Sequence, residues 1–271
     1  MFKDIIIGQF IPGNSFLHRM DPRVKIVLSV LFVVLLFMVS GFFPYALITV
    51  FVVFLVLFSG VPIKMFLKGL KPMAFILAFT VILNLFMTDG TPIFELPVFG
   101  RFTLTVTREG IYAAISLFIR LLYLITGTSL LTLTTSPLSL TDGIESLLRP
   151  LEKIKVPAHE IAMMMTIAMR FIPTLAEETD KIMKAQMARG ADFESGNIIK
   201  RAKALVPLLV PLFVSAFRRA DELATAMEAR CYRGGKGRTK MKQMKITSFD
   251  ILSIVLFLVI AVLVITVNHL V

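Results

Sequence analysis

The sequence contains few of the residues on which enzymes and disulfide-bonded proteins depend. Among its 271 residues are one cysteine, three histidines and no tryptophan. The single cysteine, Cys231, excludes an internal disulfide framework. His18, His159 and His269 lie far apart in the sequence, and His159-Glu160 lacks the second histidine of an HExxH zinc site. We therefore predict no catalytic residue, no metal site and no cofactor.

A phosphate-binding loop is also missing. The pattern GxxxxGK(S/T) does not occur, and RGGKGRTK at 233–240 has glycines and lysines without that spacing. This stretch is typical of a basic loop, so any ATP that drives the protein must be bound by another chain. The first residues carry Asp4 and a Pro12-Gly13 break where a signal peptide has its apolar run. Insertion is therefore expected to use the first transmembrane helix.

Apolar residues and positive charge are abundant. Hydrophobic residues make up 56% of the chain, and 29 Lys and Arg face 18 Asp and Glu, for a net charge of +11. The mean hydropathy is +0.83. Ordinary globular domains have a smaller apolar fraction and more charge. The composition predicts an all-α integral membrane protein with a large cytoplasmic face. A nucleic-acid partner is not expected, because the charge is interleaved with membrane-type segments.

Five segments approach the roughly 20 mostly apolar residues that a membrane-spanning helix needs. Four of them meet this requirement clearly, and the segment Gly110–Leu133 is interrupted by Arg120. The five predicted spans are Val24–Val39, Phe42–Phe58, Pro72–Met87, Gly110–Leu133 and Ile251–Leu270. Before the first span, Asp21 and Pro22 form a typical helix start, with Asp as the N-cap and Pro at the first helical position. Arg23 and Lys25 are then expected at the level of the lipid headgroups.

The distribution of Lys and Arg predicts the orientation. Residues 1–25, 60–71 and 149–245 contain 4, 3 and 19 of them, whereas the loop 88–109 contains only Arg101 and Arg108. Basic segments stay on the cytoplasmic side. We therefore predict a multi-pass membrane protein with its N-terminus in the cytoplasm and its C-terminus outside. The outer loop alternates in polarity and carries Gly and Pro, which predicts a small hairpin.

These assignments divide the chain into three parts. Residues 1–148 form an N-terminal transmembrane region with four spans, residues 149–247 a cytoplasmic module, and residues 248–271 a final transmembrane helix. The module is predicted to contain two long helices, from Pro157 to Gly190 and from about Asn197 to Arg230. Both contain proline, which removes a hydrogen bond and kinks a helix.

The two predicted helices end alike. "DKIMKAQMAR" and "DELATAMEAR" share aspartate, two alanines and arginine at the same spacing, 41 residues apart. A cation in a last helical turn is favoured by the helix dipole by about 0.3–1 kcal/mol, which would explain one such arginine. Two copies with small neighbours favour insertion of a slim arginine tip into two similar carboxylate-bearing grooves. The repeated residues are Asp180, Ala185, Ala188, Arg189 and Gly190, and Asp221, Ala226, Ala229, Arg230 and Cys231.

With these endings the sequence resembles the T component (EcfT) of energy-coupling factor transporters, a class of ABC importers. That family carries two Ala-Arg-Gly motifs at the ends of cytoplasmic coupling helices. The first stands here as 188–190, and the second has cysteine where glycine is expected, which weakens the argument for a glycine stop there. The stretch GQFIPGNSFLHRMDPRVKI at 8–26 and the order of the spans are also similar to the family.

The resemblance implies that the chain connects other subunits and does not itself catalyse a reaction. In that family the T component joins two cytoplasmic ATPase subunits to a membrane S component that captures a vitamin or a metal ion, and each coupling-helix tip docks on one ATPase. The chain is then not an enzyme. Two alternatives stay open: a membrane-embedded enzyme such as an intramembrane protease, and a module whose basic helices bind anionic lipid.

Arg120 is the one charged residue well inside a predicted span. Such residues are costly to bury and are functional candidates by default. No acidic residue lies inside any span, and Asn84 in the third span is a possible polar partner. The alternative is an arginine turned into the bundle and bonded to amides, hydroxyls or carbonyls. Structural and functional interpretations of this possible intramembrane polar site stay equally open.

Overall fold

The computed structural model describes residues 10–98, 102–193, 197–235 and 244–270, and for 94–98, 102–105, 198 and 202 the backbone alone. These residues are almost all helical, as predicted. The helices are α1 (Phe16–Arg19), α2 (Pro22–Met38), α3 (Phe42–Phe58), α4 (Ile63–Leu70), α5 (Ala74–Met87), α6 (Arg108–Thr134), α7 (Pro137–Leu148), α8 (Ala158–Ala188), α9 (Ile198–Ala229) and α10 (Ser248–Leu270). Two strands, β1 (Pro92–Val98) and β2 (Phe102–Thr107), complete the fold.

Contacts divide the chain into two compact units, each described by itself here. The bundle unit consists of the described parts of Gly8–Gly143 and Met244–Val271. The arm unit consists of the described part of Ile144–Gln243. The division follows from packing alone: α2, α3, α6 and α10 contact one another in the first unit, and α8 contacts α9 in the second.

All five predicted spans are helical, and the helical stretch that contains the third begins before it. Within the described residues, three helical stretches are long and apolar enough to cross a membrane, namely Ile63–Met87, Arg108–Thr134 and Ser248–Leu270, and Phe42–Phe58 is a shorter apolar helix. The first of these starts nine residues before the predicted Pro72. A 3₁₀ turn at Lys71–Met73 accommodates this proline, which lacks an N–H group, and joins α4 to α5.

The core of the bundle unit lies where α2, α3, α6 and α10 meet. Its buried side chains are Phe32, Leu35, Leu36, Val39, Tyr45, Ile48, Phe51, Val52, Tyr123, Phe257 and Val264. Many other large apolar side chains of the same helices are exposed, including Phe37, Phe43, Val50 and Val262. Exposed apolar surface on this scale is typical of helices that face lipid.

The start of α2 is tied to the start of α10 by a carboxylate. Asp21 caps α2 as predicted, accepting from the Arg23 backbone N–H at 2.9 Å. Its own N–H donates to Asp250 Oδ1 at 2.7 Å, while Asp250 Oδ2 accepts from the N–H and hydroxyl of Thr247, each at 2.7 Å. Burial raises the pKa of the Asp21 carboxyl, but the hydrogen bonds from Arg23 outweigh it and leave the pKa below its ordinary value.

Lys25, which the sequence predicts at the level of the lipid headgroups, turns its side chain into the bundle unit. Its side chain is buried, and its Nζ donates to the carbonyl of Thr134 at 3.1 Å and to the hydroxyl of Thr135 at 3.0 Å. Thr134 is the last residue of α6, so its carbonyl has no partner within that helix. The lysine therefore satisfies the end of a neighbouring helix.

The predicted hairpin between the third and fourth spans is confirmed. β1 and β2 pair antiparallel, with Pro92 opposite Thr107 and Val98 opposite Phe102. Residues 99–101 lie outside the described part of the chain. Thr107 ends the second strand and begins α6, because its hydroxyl accepts from the N–H of Gly110 at 3.0 Å.

Both long helices of the arm unit begin and end where the sequence predicts. Helix α8 starts after Pro157, and α9 starts after Asn197. Pro173 lies inside α8, and Pro207 and Pro211 lie inside α9, and neither helix is interrupted. Each helix is therefore continuous, with a rise of about 1.5 Å per residue.

Asp250 should contribute strongly to the stability of the bundle unit. Replacing it with Ala leaves the buried N–H of Asp21 without its acceptor, at about 1–3 kcal/mol, and also removes the bonds from the exposed Thr247. We expect Asp250→Ala to lower the midpoint of thermal unfolding in detergent, and Asp250→Asn to lower it less, because one amide oxygen remains. Thr247→Val, which removes one hydroxyl bond alone, is the matched control. Equal midpoints for wild type and Asp250→Ala would contradict this role.

Candidate functional site: the two helix tips

The end of α8 has the hydrogen bonds of a Schellman motif. The N–H of Gly190 donates to the carbonyl of Met187, and the N–H of Ala191 donates to the carbonyl of Gln186, both at 3.0 Å. Gly190 has φ +88°, the left-handed conformation that such a stop requires. A Cβ on Gly190 would meet no atom within 4 Å, so the conformation and not crowding favours glycine there.

The end of α9 has the same two bonds although glycine is absent. The N–H of Cys231 donates to the carbonyl of Glu228 at 2.8 Å, and the N–H of Tyr232 donates to the carbonyl of Met227 at 3.0 Å. Cys231 adopts φ +57°. A left-handed conformation costs a residue with a Cβ about 1–2 kcal/mol. The two sequence copies therefore fold into the same backbone stop, and the second does so against the preference of its residue.

Each stop holds an arginine at the C-cap, directly before the left-handed residue. Arg189 and Arg230 are exposed, as are Ala188 and Ala229 beside them. Among the described residues, neither guanidinium lies within ion-pair distance of a carboxylate. Ala185 and Ala226, one turn earlier, are exposed too. Each tip is consequently a narrow helix end that presents one unneutralised planar cation.

The two aspartates of the repeat differ in their surroundings. Asp221 is exposed, and Asp180 is half-buried. The backbone carbonyl of Asp221 accepts from the hydroxyl of Thr225 at 2.8 Å, a bond within the helix. Both lie about 13 Å before the tip arginines at the helical rise. They are thus part of the helix shafts and not of the tips.

An ion pair that the sequence did not suggest connects the two helices. Arg219 Nη2 donates to Glu178 Oε2 at 2.8 Å, and both side chains are partly exposed. Hydrogen bonds from Ser215 and then Arg219 hold the pKa of the Glu178 carboxyl below its ordinary value. Glu178 and Arg219 are 41 residues apart, the same offset as the repeated endings. Extending the alignment backwards from the tips would have found this pair.

We call the part of each helix between this ion pair and the tip arginine an arm, and the two arms are equally long. Eleven residues separate Glu178 from Arg189, and eleven separate Arg219 from Arg230, which corresponds to about 16 Å of helix on each side. Beside the pair lies a cleft of about 270 Å³, lined by Ile167, Phe171, Leu175, Ala216, Arg219, Ala220, Leu223, Ala224 and Met227. Equivalent positions of the repeat therefore meet at one point, and each arm carries its arginine the same distance from it.

The Arg120 side chain is hydrogen-bonded at the end of α2. Its Nε donates to the hydroxyl of Tyr45 at 2.9 Å, and its Nη2 donates to the carbonyl of Val39 at 3.2 Å. Val39 is the C-cap of α2, and the guanidinium carbon also lies 5.7 Å from the ring centre of Phe37. A cation at a helix C-terminus is favoured by the helix dipole. The geometry supports the structural interpretation of a bundle-facing arginine bonded to a hydroxyl and a carbonyl.

Asn84 is not the partner of Arg120. Its Nδ2 donates to the carbonyl of Thr80 within its own helix at 3.0 Å, and its backbone lies against Gly110. Arg120 is ten residues further along α6 than Gly110, which is about 15 Å. The two residues singled out as one intramembrane polar site are therefore at different levels of the bundle.

The fold and the tips define a class of protein: an all-α membrane protein with two long helices ending in matched, exposed arginine tips. Residues 13–241 match the family model described as CbiQ, cobalt transport protein. The chain is 59% identical over 249 residues to the "Energy-coupling factor transporter transmembrane protein EcfT" of Thermosediminibacter oceani, covering 92% of each chain.

Further relatives carry the same name. The protein of Bacillus subtilis is 51% identical over 264 residues, covering 97% of this chain and 98% of its own, and that of Lactococcus lactis subsp. cremoris is 44% identical over 263 residues, covering 97% of both chains. The chain belongs to this family of energy-coupling factor transporter transmembrane proteins. The resemblance stated from the sequence is thereby confirmed.

Cys231 is expected to weaken the second tip relative to glycine. Cys231→Gly should remove the left-handed cost and slow hydrogen exchange at the amides of 231 and 232 by about five- to thirtyfold. Gly190→Ala should accelerate exchange at 190 and 191 by a similar factor. The matched control is Cys231→Ala, which removes the thiol and keeps the Cβ, and should leave exchange unchanged. Equal exchange in Cys231→Gly and Cys231→Ala would contradict the conformational cost, and a shared difference from wild type would assign the effect to the thiol.

Proposed function

We propose that this chain couples ATP hydrolysis on two cytoplasmic ABC ATPase subunits to uptake of a substrate captured by a separate membrane S component. The observation that carries the proposal is the pair of identical backbone stops that present Arg189 and Arg230. Two equal tips suit two equal sites, as a pair of ATPase subunits would offer. The chain itself is proposed to be non-catalytic, and the substrate, a vitamin or a metal ion, is chosen by the S component.

The tips suit a carboxylate-bearing groove for physical reasons. A guanidinium offers a planar fork of donors that matches a carboxylate, and it stays charged at all relevant pH values. Alanine at the preceding positions keeps the helix end narrow enough to enter a groove. Because Arg189 and Arg230 make no ion pair within the described part of the chain, a partner carboxylate would not have to displace an existing one.

The arms provide a route for movement. Opening and closing of an ATPase pair changes the distance between its two grooves, and rigid helices transmit such a change along their length. Glu178 and Arg219 join the arms about 16 Å from each tip. An exposed ion pair contributes only about 0–1 kcal/mol, so this junction can rearrange without a large energetic barrier.

The first half of α9 is suited to the membrane side of this coupling. Its side chains Leu205, Val206, Leu209, Val210, Phe213, Val214 and Phe217 are all exposed. A contiguous apolar surface on an otherwise charged helix marks a protein or membrane contact. We propose that this face contacts the bilayer or the S component while the arginine tip of the same helix contacts an ATPase.

The proposed topology, with the N-terminus and the arms in the cytoplasm of a bacterial cell and the hairpin outside, has a built-in reporter. Cys231 is exposed and is the one cysteine in the chain. A membrane-impermeant maleimide should not label wild type in intact cells and should label it after permeabilisation. The variant Cys231→Ser with Thr91→Cys should be labelled in intact cells. The opposite pattern would reverse the orientation.

Losing both arginines is expected to uncouple the complex. A hydrogen bond to a charged group contributes about 1.5–3 kcal/mol, so Arg189→Glu or Arg230→Glu alone should weaken ATPase binding by about ten- to a hundredfold. The double variant should bind no ATPase pair and should support no substrate uptake in vesicles. Arg→Lys should restore only part of the binding, because lysine keeps the charge and loses the fork.

The matched control is the double variant Arg218→Glu and Arg233→Glu, which reverses the same number of charges at exposed positions next to the arms. Membrane insertion is measured for every variant, since an exposed last-turn cation contributes little to helix stability. A double Arg189 and Arg230 variant that inserts, recovers both ATPases and transports normally would show that the repeated ending is only a helix cap.

A further inference from the structure

Helix α4 carries a surface that the proposed coupling role does not use. Lys64, Lys68 and Lys71 are exposed and spaced by four and three residues, so they lie along one side of the helix. Ile63 and Leu67 form the adjacent stripe, and each is 59% exposed. We call these five residues the α4 stripe. Its charged half and its apolar half run side by side along the helix.

The charge of the α4 stripe is not neutralised locally. Between Asp21 and Asp89 the sequence contains no acidic residue. Within the described part of the chain, none of the three lysines forms an ion pair, whereas Arg23, Arg218 and Arg219 do. Three ammonium groups on one helix side repel one another in this state, by an amount that salt reduces. Binding of several negatively charged groups to the three lysines would relieve this repulsion.

The position of α4 in the bundle unit places the stripe at a membrane surface. Phe66, on the opposite side of α4, is buried against Leu130 and Leu133 at the end of α6. The carbonyl of Thr134 at that same end receives the Lys25 ammonium at the start of α2. The stripe therefore lies at the end of the bundle that carries the charged helix starts, away from the hairpin.

The helix continues directly into an apolar span. Ile63–Met87 is one of the stretches long enough to cross a membrane. Phe75 and Phe79 in its next turns are 78% and 54% exposed, which places large apolar side chains along the path of lipid acyl chains. Ile63 and Leu67 extend this apolar surface to the level of the lysines. A ligand that is anionic at one end and apolar at the other matches both halves.

We propose that the α4 stripe is a binding site for anionic phospholipid, with Lys64, Lys68 and Lys71 contacting phosphodiester headgroups and Ile63 and Leu67 contacting the adjoining acyl chains. Basic residues at a membrane surface attract anionic lipid, and apolar residues beside them anchor the contact. The site fixes the depth of the α4–α5 run in the bilayer. It is independent of the ATPase and S-component contacts proposed for the arms.

The test uses the purified full chain in mixed micelles of a detergent and the zwitterionic lipid phosphatidylcholine. These micelles are titrated with the anionic lipid phosphatidylglycerol. Bound lipid is counted by native mass spectrometry, and the unfolding midpoint is followed in parallel. Wild type should retain phosphatidylglycerol and should be stabilised by it, less so at high salt. The variant Lys64→Gln, Lys68→Gln and Lys71→Gln should need about ten- to a hundredfold more lipid for the same occupancy.

The control variant removes three exposed lysines of the arm unit, Lys153→Gln, Lys181→Gln and Lys184→Gln, and should bind phosphatidylglycerol like wild type. Inorganic phosphate and glycerol phosphate at the same concentrations should not replace the lipid, because they lack acyl chains. Equal lipid binding by the two triple variants would overturn the proposal. So would stabilisation by free phosphate, or an α4 variant that keeps its lipid and loses only the S component.

Discussion

The fold depends on one constraint, the need to satisfy the backbone groups at helix ends in a chain with few polar side chains. The last carbonyls and first N–H groups of a helix have no partner within it, and in lipid no water replaces one. Two buried charges and one half-buried charge of the bundle unit meet this need. Lys25 donates to the end of α6, Arg120 donates to the end of α2, and Asp250 accepts from the residue that caps α2.

This constraint explains why charges inside the bundle need no catalytic role. An arginine that donates to a C-terminal carbonyl gains from the helix dipole and completes a backbone hydrogen bond at once. Ser40, in the turn that follows α2, illustrates the same rule with a neutral group, because its N–H donates to the amide oxygen of Asn268 at 2.8 Å. The Ser40–Asn268 bond thus joins the end of α2 to α10, as the Lys25 and Arg120 bonds join other helices.

Local signals in the sequence were sufficient for the helices of the five predicted spans and for the limits of α8 and α9. Hydropathy marked the spans, Pro157 and Gly190 marked the limits of α8, and Asp21 with Pro22 marked the start of α2. Contacts between distant segments could not be predicted, because they depend on which helices meet. Arg120 and Val39 are 81 residues apart, and nothing in either segment identifies the other. The sequence therefore offered Asn84 as a possible partner of Arg120, although its side chain bonds within its own helix.

The second tip shows where residue preference and backbone requirement diverge. Glycine is favoured at a left-handed stop, yet Cys231 makes the same two hydrogen bonds as Gly190. The bonds at both ends satisfy carbonyls that would otherwise face outwards, which offsets part of the cost of the Cβ. In the bundle unit, Lys25, Arg120 and Asp250 are hydrogen-bonded at helix ends, whereas at the tips the backbone caps itself. Because the backbone caps itself, the side chains of Arg189 and Arg230 stay exposed. They differ in this from Lys25 and Arg120, whose side chains donate to the carbonyls at helix ends.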